Sequence, residues 1–509
     1  MTPTPSPALF PGFLASKFKI GNHRGMMPHR RSARSRHSGI ARRGGVGDRK
    51  RIPYAMPHPN VARTLAILAF IPALLLAPTP ARAQKSASTS PAPAMPLDAL
   101  IAGDKPWETT PDQLEAAVKP LRTQWLSAAK DSARYFGKFT IWNGAIPVKE
   151  AVVEFQNGKL FRVNLSIFNR GDSDSGSFAS RIEFEKQLEA WKAAITAKAG
   201  VQPVDLGKQN ASAVKATGFS WSKAPSVYLL EFSYQKDAKA TGVQFRPEFV
   251  RLRVSALPKP FGIGSSSAGG QRVSKTALLA NVTKDPSGDV FLKNVPMVDQ
   301  GPKGYCAVAT AERVFRYYGM PVDQHEMAQV ANTGAGGGTN PDAMLKALTA
   351  LQGRLQVHVR AISKWDYAEF NKMITDYNRE AKRNKKKEIN LAGMRTIDIG
   401  AIYGSMDPAS LKESKTVKKK GDFDKFKREI AEKIDKGIPV MWGVELGLYP
   451  EPEIPQAHGG HMRLIIGYNN KTNEIIYSDS WGEKHAMKRM PSDNAFPMTT
   501  GLYFMEPFE

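Results

Sequence analysis

A single cysteine, Cys306, occurs in the 509 residues, which excludes an internal disulfide and any cysteine-clustered metal site. Zinc-finger spacing and a helix-turn-helix signature are also missing, so the basic balance of the chain is no sign of nucleic-acid recognition. The apolar run Thr64–Ala77 has fourteen residues and is interrupted by Pro72, short of the roughly 20 that span a bilayer. Acidic residues are nearly absent from the first 83 positions, where one Asp stands against fourteen Lys and Arg.

What is present is ordinary in bulk: 41% hydrophobic and 23% charged residues describe a globular chain. Its length predicts two folded domains and a tail. The basic N-terminal flank, the short apolar run and the small-residue site Ala81-Arg82-Ala83 together read as a secretory signal cleaved before Gln84. The basic stretch is long for a leader, and a start at Met56 would give one of ordinary proportion. Export to the periplasm, cell surface or medium is therefore expected. Residues 84–509 keep 58 Lys and Arg against 46 Asp and Glu, a net +12 that would favour anionic envelope polymers or headgroups.

The expected organisation is a leader and signal over 1–83, a Ser/Ala/Pro linker over 84–96, an α+β domain over 97–258, a Gly/Ser-rich linker over 259–285 and a second domain over 286–509. Thr110-Pro111 opens an amphipathic helix, with Thr as N-cap and Pro at the first helical position. Strands are expected around Phe139–Trp142, Val152–Phe155, Leu160–Leu165, Ser226–Ser233 and Glu248–Val254, the second and third joined through Asn157-Gly158. Arg181–Ala197 has helical spacing, with Ile182, Leu188, Trp191 and Ile195 on its apolar face. No histidine cluster, phosphate loop or metal-ligand spacing occurs between 97 and 258, which predicts a binding, spacing or inhibitory module.

The chemistry concentrates after Val295. In VPMVDQGPKGYCAVATAERVFRYYG a Gly/Pro-broken loop gives way at Cys306 to an amphipathic helix. A thiol at a helix N-terminus meets unpaired backbone N–H groups and the positive end of the dipole, which favour the thiolate that attacks carbonyls. Gln300, six residues earlier, is placed to turn its amide toward the same carbonyl as a second oxyanion donor. Downstream, GGHMRLIIGY and EIIYSDSW read as a hairpin with His461 near the start of one strand and Asp479 near the end of its partner. That pairing puts a carboxylate within reach of an imidazole. His458 precedes the strand and is the weaker candidate, while His325 and His485 read as surface residues and Trp481 as packing over the histidine–aspartate bond.

The stretch QGPKGYC, with the later histidine strand and Asp479-Ser480-Trp481-Gly482, resembles papain-like cysteine peptidases, and especially their bacteriocin-processing, double-glycine (C-thirty-nine-like) branch. Papain has Asn where this chain has Asp479; the double-glycine branch commonly has Asp. The resemblance covers roughly the last 215 residues. It implies an α+β fold in which a helix packs on an antiparallel sheet. It further implies a Cys306–His461–Asp479 triad with Gln300 in the oxyanion hole, a peptide or protein substrate and no cofactor. Transglutaminase-like acyl transfer and a non-enzymatic surface protein with a degenerate peptidase domain are the competing readings; the oligomeric state is not legible. Residues 365–422 exceed what a minimal domain needs and read as a solvated helical hairpin.

Overall fold

The computed structural model describes residues 17–19 and 97–508, apart from 103–104, 120, 122, 127–129, 173–177, 179, 212, 236–244, 258–273, 302–303, 321, 334–337, 340, 393 and 395. The expected signal sequence, the 84–96 linker and the Gly/Ser centre of the second linker lie outside the described residues.

Turn chemistry builds the first sheet. Asn157 and Gly158 both adopt positive φ, at 53° and 71°, the tight hairpin geometry that an Asn-Gly pair tolerates. They join β3 (Ile146–Gln156) to β4 (Lys159–Asn169). With β1 (Gln124–Trp125), β2 (Ser132–Ile141), β5 (Val204–Ala211), β6 (Val214–Lys223), β7 (Ser226–Gln235) and β8 (Arg246–Ala256) these form an antiparallel sheet of order β1-β2-β3-β4-β8-β7-β6-β5. Helix α1 (Pro111–Ala117) starts at Thr110, whose hydroxyl accepts from the Gln113 N–H in a capping box. Helix α2 (Arg181–Ala199) lays Phe184, Leu188, Trp191 and Ile195 on the sheet. Ile182, expected on that face, is 79% exposed, and Phe184 takes the inward position instead.

The second sheet comprises β9 (Val282–Lys284), β10 (Asp289–Leu292), β11 (Val357–Ser363), β12 (Val440–Leu446), β13 (Gly459–Asn469), β14 (Glu474–Ser478), β15 (Lys488–Pro491) and β16 (Thr499–Pro507). Its order is β9-β10-β13-β12-β16-β11, with β14 paired to β13 and β15, all antiparallel. A one-turn helix, Lys275–Ala280, and strand β9 already occupy positions assigned from the sequence to the linker.

Both faces of this sheet are covered, because side chains of successive strand residues point to opposite sides. Met441, Met462, Leu464 and Ile466 pack with α3 (Cys306–Tyr317) and α5 (Pro341–Leu355). Val440, Trp442, Val444 and Ile465 pack with α6 (Tyr367–Arg383), α7 (Ile399–Gly404), α8 (Pro408–Lys412) and α9 (Lys420–Asp435). The 365–422 segment is thus no solvated hairpin. Its Phe370, Tyr377, Ile402 and Leu411 share a core with Trp442, while Lys382, Lys385, Lys386 and Lys387 are exposed.

The two sheets meet through buried charge. Arg251 of β8 donates to Glu231 of its own sheet at 2.8 Å and reaches Asp323 and Glu326 at helix α4 (Gln324–Val330) of the second, the last at 2.8 Å. Glu326 accepts from the Ala213 N–H at 2.9 Å, and Arg354 donates to the Ala213 and Val214 carbonyls. Such a network fixes one docking geometry, since each partner removed would leave an uncompensated buried charge.

Candidate active site

Cys306 is the first residue of α3, following Tyr305 at the N-cap, so its sulfur sits where the helix leaves backbone N–H groups unpaired. Cys306 is half-buried, while Ala307 to Phe315 are buried. The expected amphipathic helix is therefore enclosed, with β13 on one flank and the first sheet on another, where Arg316 faces Glu154 of β3 at 3.8 Å.

His461 lies in β13, opposite Val444 of β12, and Asp479 follows the last residue of β14. A register shift between Ile465 and Gly467 pairs Ser478 with Leu464, so Asp479 comes level with Arg463 and not with His461. His461 and Arg463, two residues apart, share one face of the strand. Both reach the carboxylate. His461 Nε2 donates to Asp479 Oδ1 at 2.6 Å, and Arg463 Nε donates to Oδ2 at 2.8 Å. The Ser480 N–H adds a bond to Oδ1 at 3.0 Å. Asp479, His461 and Arg463 side chains are all withdrawn from solvent.

Nδ1, the other ring nitrogen of His461, makes no hydrogen bond among the described residues, while the Cys306 thiol lies near enough to act electrostatically on the same ring. Burial by itself lowers the His461 pKa. The Asp479 charge and hydrogen bond, followed by the Cys306 sulfur, outweigh it and raise the imidazole to about 9. Asp479 shows the mirror case: burial would raise it, but His461 and Arg463 hold it at about 2. Trp481 stacks on the imidazole face, centroids 4.2 Å apart and planes 10° apart, as the sequence suggested.

Gln300 is buried on the loop leading to Cys306, and its N–H donates to the Ser480 carbonyl at 2.9 Å, tying this loop to the aspartate segment. His461, Asp479 and the Gln300 backbone are thus tied together through Ser480, and the Cys306 sulfur acts on the His461 ring. His458 is exposed before β13 begins. His485 and His325, expected on the surface, are not there: His485 is buried with its ring edge against Trp481, and His325 is half-buried between the sheets beside Tyr305 and Glu150. Arg463 escaped the sequence reading, as did Glu451, whose carboxylate forms an ion pair with Arg463 Nη1 at 2.8 Å, and Arg313, which reaches Ser478 from α3. The available signal for Arg463 was a cation inside the apolar run Met462 to Ile466.

The constellation joins a thiol, an imidazole able to take its proton and a carboxylate that stabilises the resulting imidazolium. Among the described residues no group of three or more His, Cys, Asp and Glu is arranged to hold a metal ion, and no helix is long and apolar enough to cross a membrane.

Comparison with known proteins gives one family. Residues 292–500 match the family described as Peptidase_C39 like family. No curated protein matches the chain. Among solved structures it is similar to xylellain, a cysteine protease from Xylella fastidiosa, at 12% identity and a TM-score of 0.23, over 50% of this chain and 95% of that one. The segment that carries Gln300, Cys306, His461 and Asp479 is the one that matches this cysteine peptidase family.

Proposed function

We propose that the protein hydrolyses peptide bonds through a Cys306–His461–Asp479 triad and a thioester acyl-enzyme. The observation that carries this reading is the 2.6 Å bond from buried His461 to buried Asp479, on the ring whose proton affinity the sole cysteine also raises. His461 takes the thiol proton at Nδ1. The Cys306 sulfur bonds to the scissile carbonyl carbon, and the oxyanion accepts from the Cys306 N–H and the Gln300 amide. The imidazolium then protonates the leaving amine, the C–N bond breaks, and water, deprotonated by His461, cleaves the thioester.

Export completes the proposal. It rests on the basic flank, apolar run and Ala81-Arg82-Ala83 site, and makes the substrate a peptide or protein of the envelope or its surroundings.

The decisive experiment treats the 84–509 protein and its Cys306→Ala variant with an iodoacetamide-type probe, reads labelling by mass spectrometry and digests casein or a peptide library in parallel. Rapid labelling of Cys306 with cleavage lost in the variant is the expected outcome; a slow thiol with no cleavage sinks the reading.

The pH profile gives a second test. The His461 pKa is raised, so the imidazolium that protonates the leaving amine persists through neutrality, and kcat/KM is expected to fall only as pH rises through about 9. An alkaline limb near the ordinary histidine value of about 6.5 would contradict the coupling of His461 to Asp479.

A further inference from the structure

Between Lys293 and Tyr305 the described residues form no helix or strand, so their backbone groups must find partners elsewhere. Two of them find partners at the first sheet. The Met297 N–H donates to the Leu126 carbonyl at 2.8 Å, and Arg134 of β2 donates Nη1 to the Asp299 carbonyl. Phe136 lies against Gly301, which sits at φ +65°; a Cβ there would come 2.9 Å from the ring. Tyr305 donates its hydroxyl to Asn169 Oδ1 at 2.7 Å, and Gly171 is packed so closely that a Cβ on it would fall 1.8 Å from the same hydroxyl. Tyr305 is fully buried, and Arg134 and Asn169 are each 2% exposed.

We infer that the first sheet is a positioning element of the peptidase: Arg134 and Asn169 hold the Gln300–Tyr305 loop, and through it the oxyanion hole, in working geometry. The inference rests on the triad reading above. From the peptidase side Ser480 anchors the loop through the Gln300 N–H, and Arg313 of α3 donates Nε to the Pro296 carbonyl at 2.8 Å. The anchors of Asp299 and Tyr305 come from residues 165 and 136 positions earlier in the chain. A module that shields the nucleophile would cover its sulfur. Here the residue before it is sealed while Cys306 itself stays partly exposed with the sheet docked. Arg134 and Asn169 therefore act through Tyr305 and Asp299 and touch no substrate.

The test uses the full chain with Asn169→Ala, Tyr305→Phe and the paired substitution Arg134→Met/Glu150→Gln, which removes the buried Arg134–Glu150 ion pair as a unit. Hydrogen exchange at the 297–306 amides is measured beside kcat, KM and the alkylation rate of Cys306. Faster exchange confined to that loop is expected, with kcat lower by on the order of 100-fold for Asn169→Ala, the scale of an ångström-sized misplacement. KM and alkylation should change far less. Should Asn169→Ala fail to fold, Tyr305→Phe, which deletes one hydroxyl, decides the matter alone.

Unchanged exchange with unchanged kcat overturns the inference, and so does a rise in cleavage, which would mark the sheet as a shield. A wild-type chain that alkylates at Cys306 but cleaves nothing defeats the peptidase reading, and the exchange data still judge the positioning role.

Discussion

Asp479→Ala is expected to lower kcat/KM by about 100- to 10,000-fold, the range spanned by general acid–base groups and their orienting partners. The carboxylate is the acceptor for His461 Nε2, and no solvent reaches the pair to replace it. Burial pushes the imidazole toward its neutral form, and Asp479 supplies the largest opposing effect. Without it the imidazolium is lost at neutral pH and the ring is free to turn away from Cys306. Asp479→Asn separates the two contributions, since the amide oxygen still accepts from Nε2 while the charge is gone. The alkaline limb of kcat/KM in that variant should lie below the wild-type value of about 9. Activity of the Ala variant within tenfold of wild type, measured as a pH profile beside the thiol-labelling rate, would remove Asp479 from the triad.

Arg463→Met should destabilise the fold by about 3–5 kcal/mol, because it leaves the carboxylates of Asp479 and Glu451 without the cation between them. The guanidinium lies at 0% exposure and over the ring of Tyr477, centroid distance 4.6 Å, so Met fills the space but not the charge. A denaturant midpoint at several pH values measures the effect. Asp479 has a depressed pKa, so its stabilisation is present above the unfolded value of about 3.8 and is lost as pH falls through about 2. With Arg463 gone the folded pKa rises, and acid destabilisation begins at higher pH. His461 gives the opposite sign: its contribution is full below about 6.5 and is lost as pH rises through about 9. An unchanged midpoint and an unchanged acid limb would mean that Arg463 does not stabilise Asp479.

The site was legible in the sequence to the extent that its signals are short-range. A Gly/Pro loop breaking into a helix at Cys306, a histidine opening an apolar strand and an aspartate closing the next are patterns of ten residues or fewer. Arg463 was missed because its role depends on the register shift that sets it level with Asp479, and a bulge has no pattern in the flanking residues. Strands β5 and β6 were missed for a related reason: VDLGKQNA and VKATGFSWSK contain too few alternating apolar residues to stand out from loop.

His325 and the helices of 365–422 went wrong through burial. Both carry many polar residues, which suggests solvent, yet each lies where one element covers another. For the helices, one apolar stripe of Phe370, Ile374 and Tyr377 suffices to dock the basic segment on the sheet.

The sequence by itself determined many of the elements and the candidate reacting groups, since capping, turn chemistry and strand alternation act over a few residues. The tertiary structure alone decided the partners of those groups. Arg463 beside Asp479, and Asn169 holding Tyr305 from 136 positions away, arise from how two sheets dock. Such contacts are set by chain closure and buried charge compensation, which act between segments far apart along the chain and leave no local period to read.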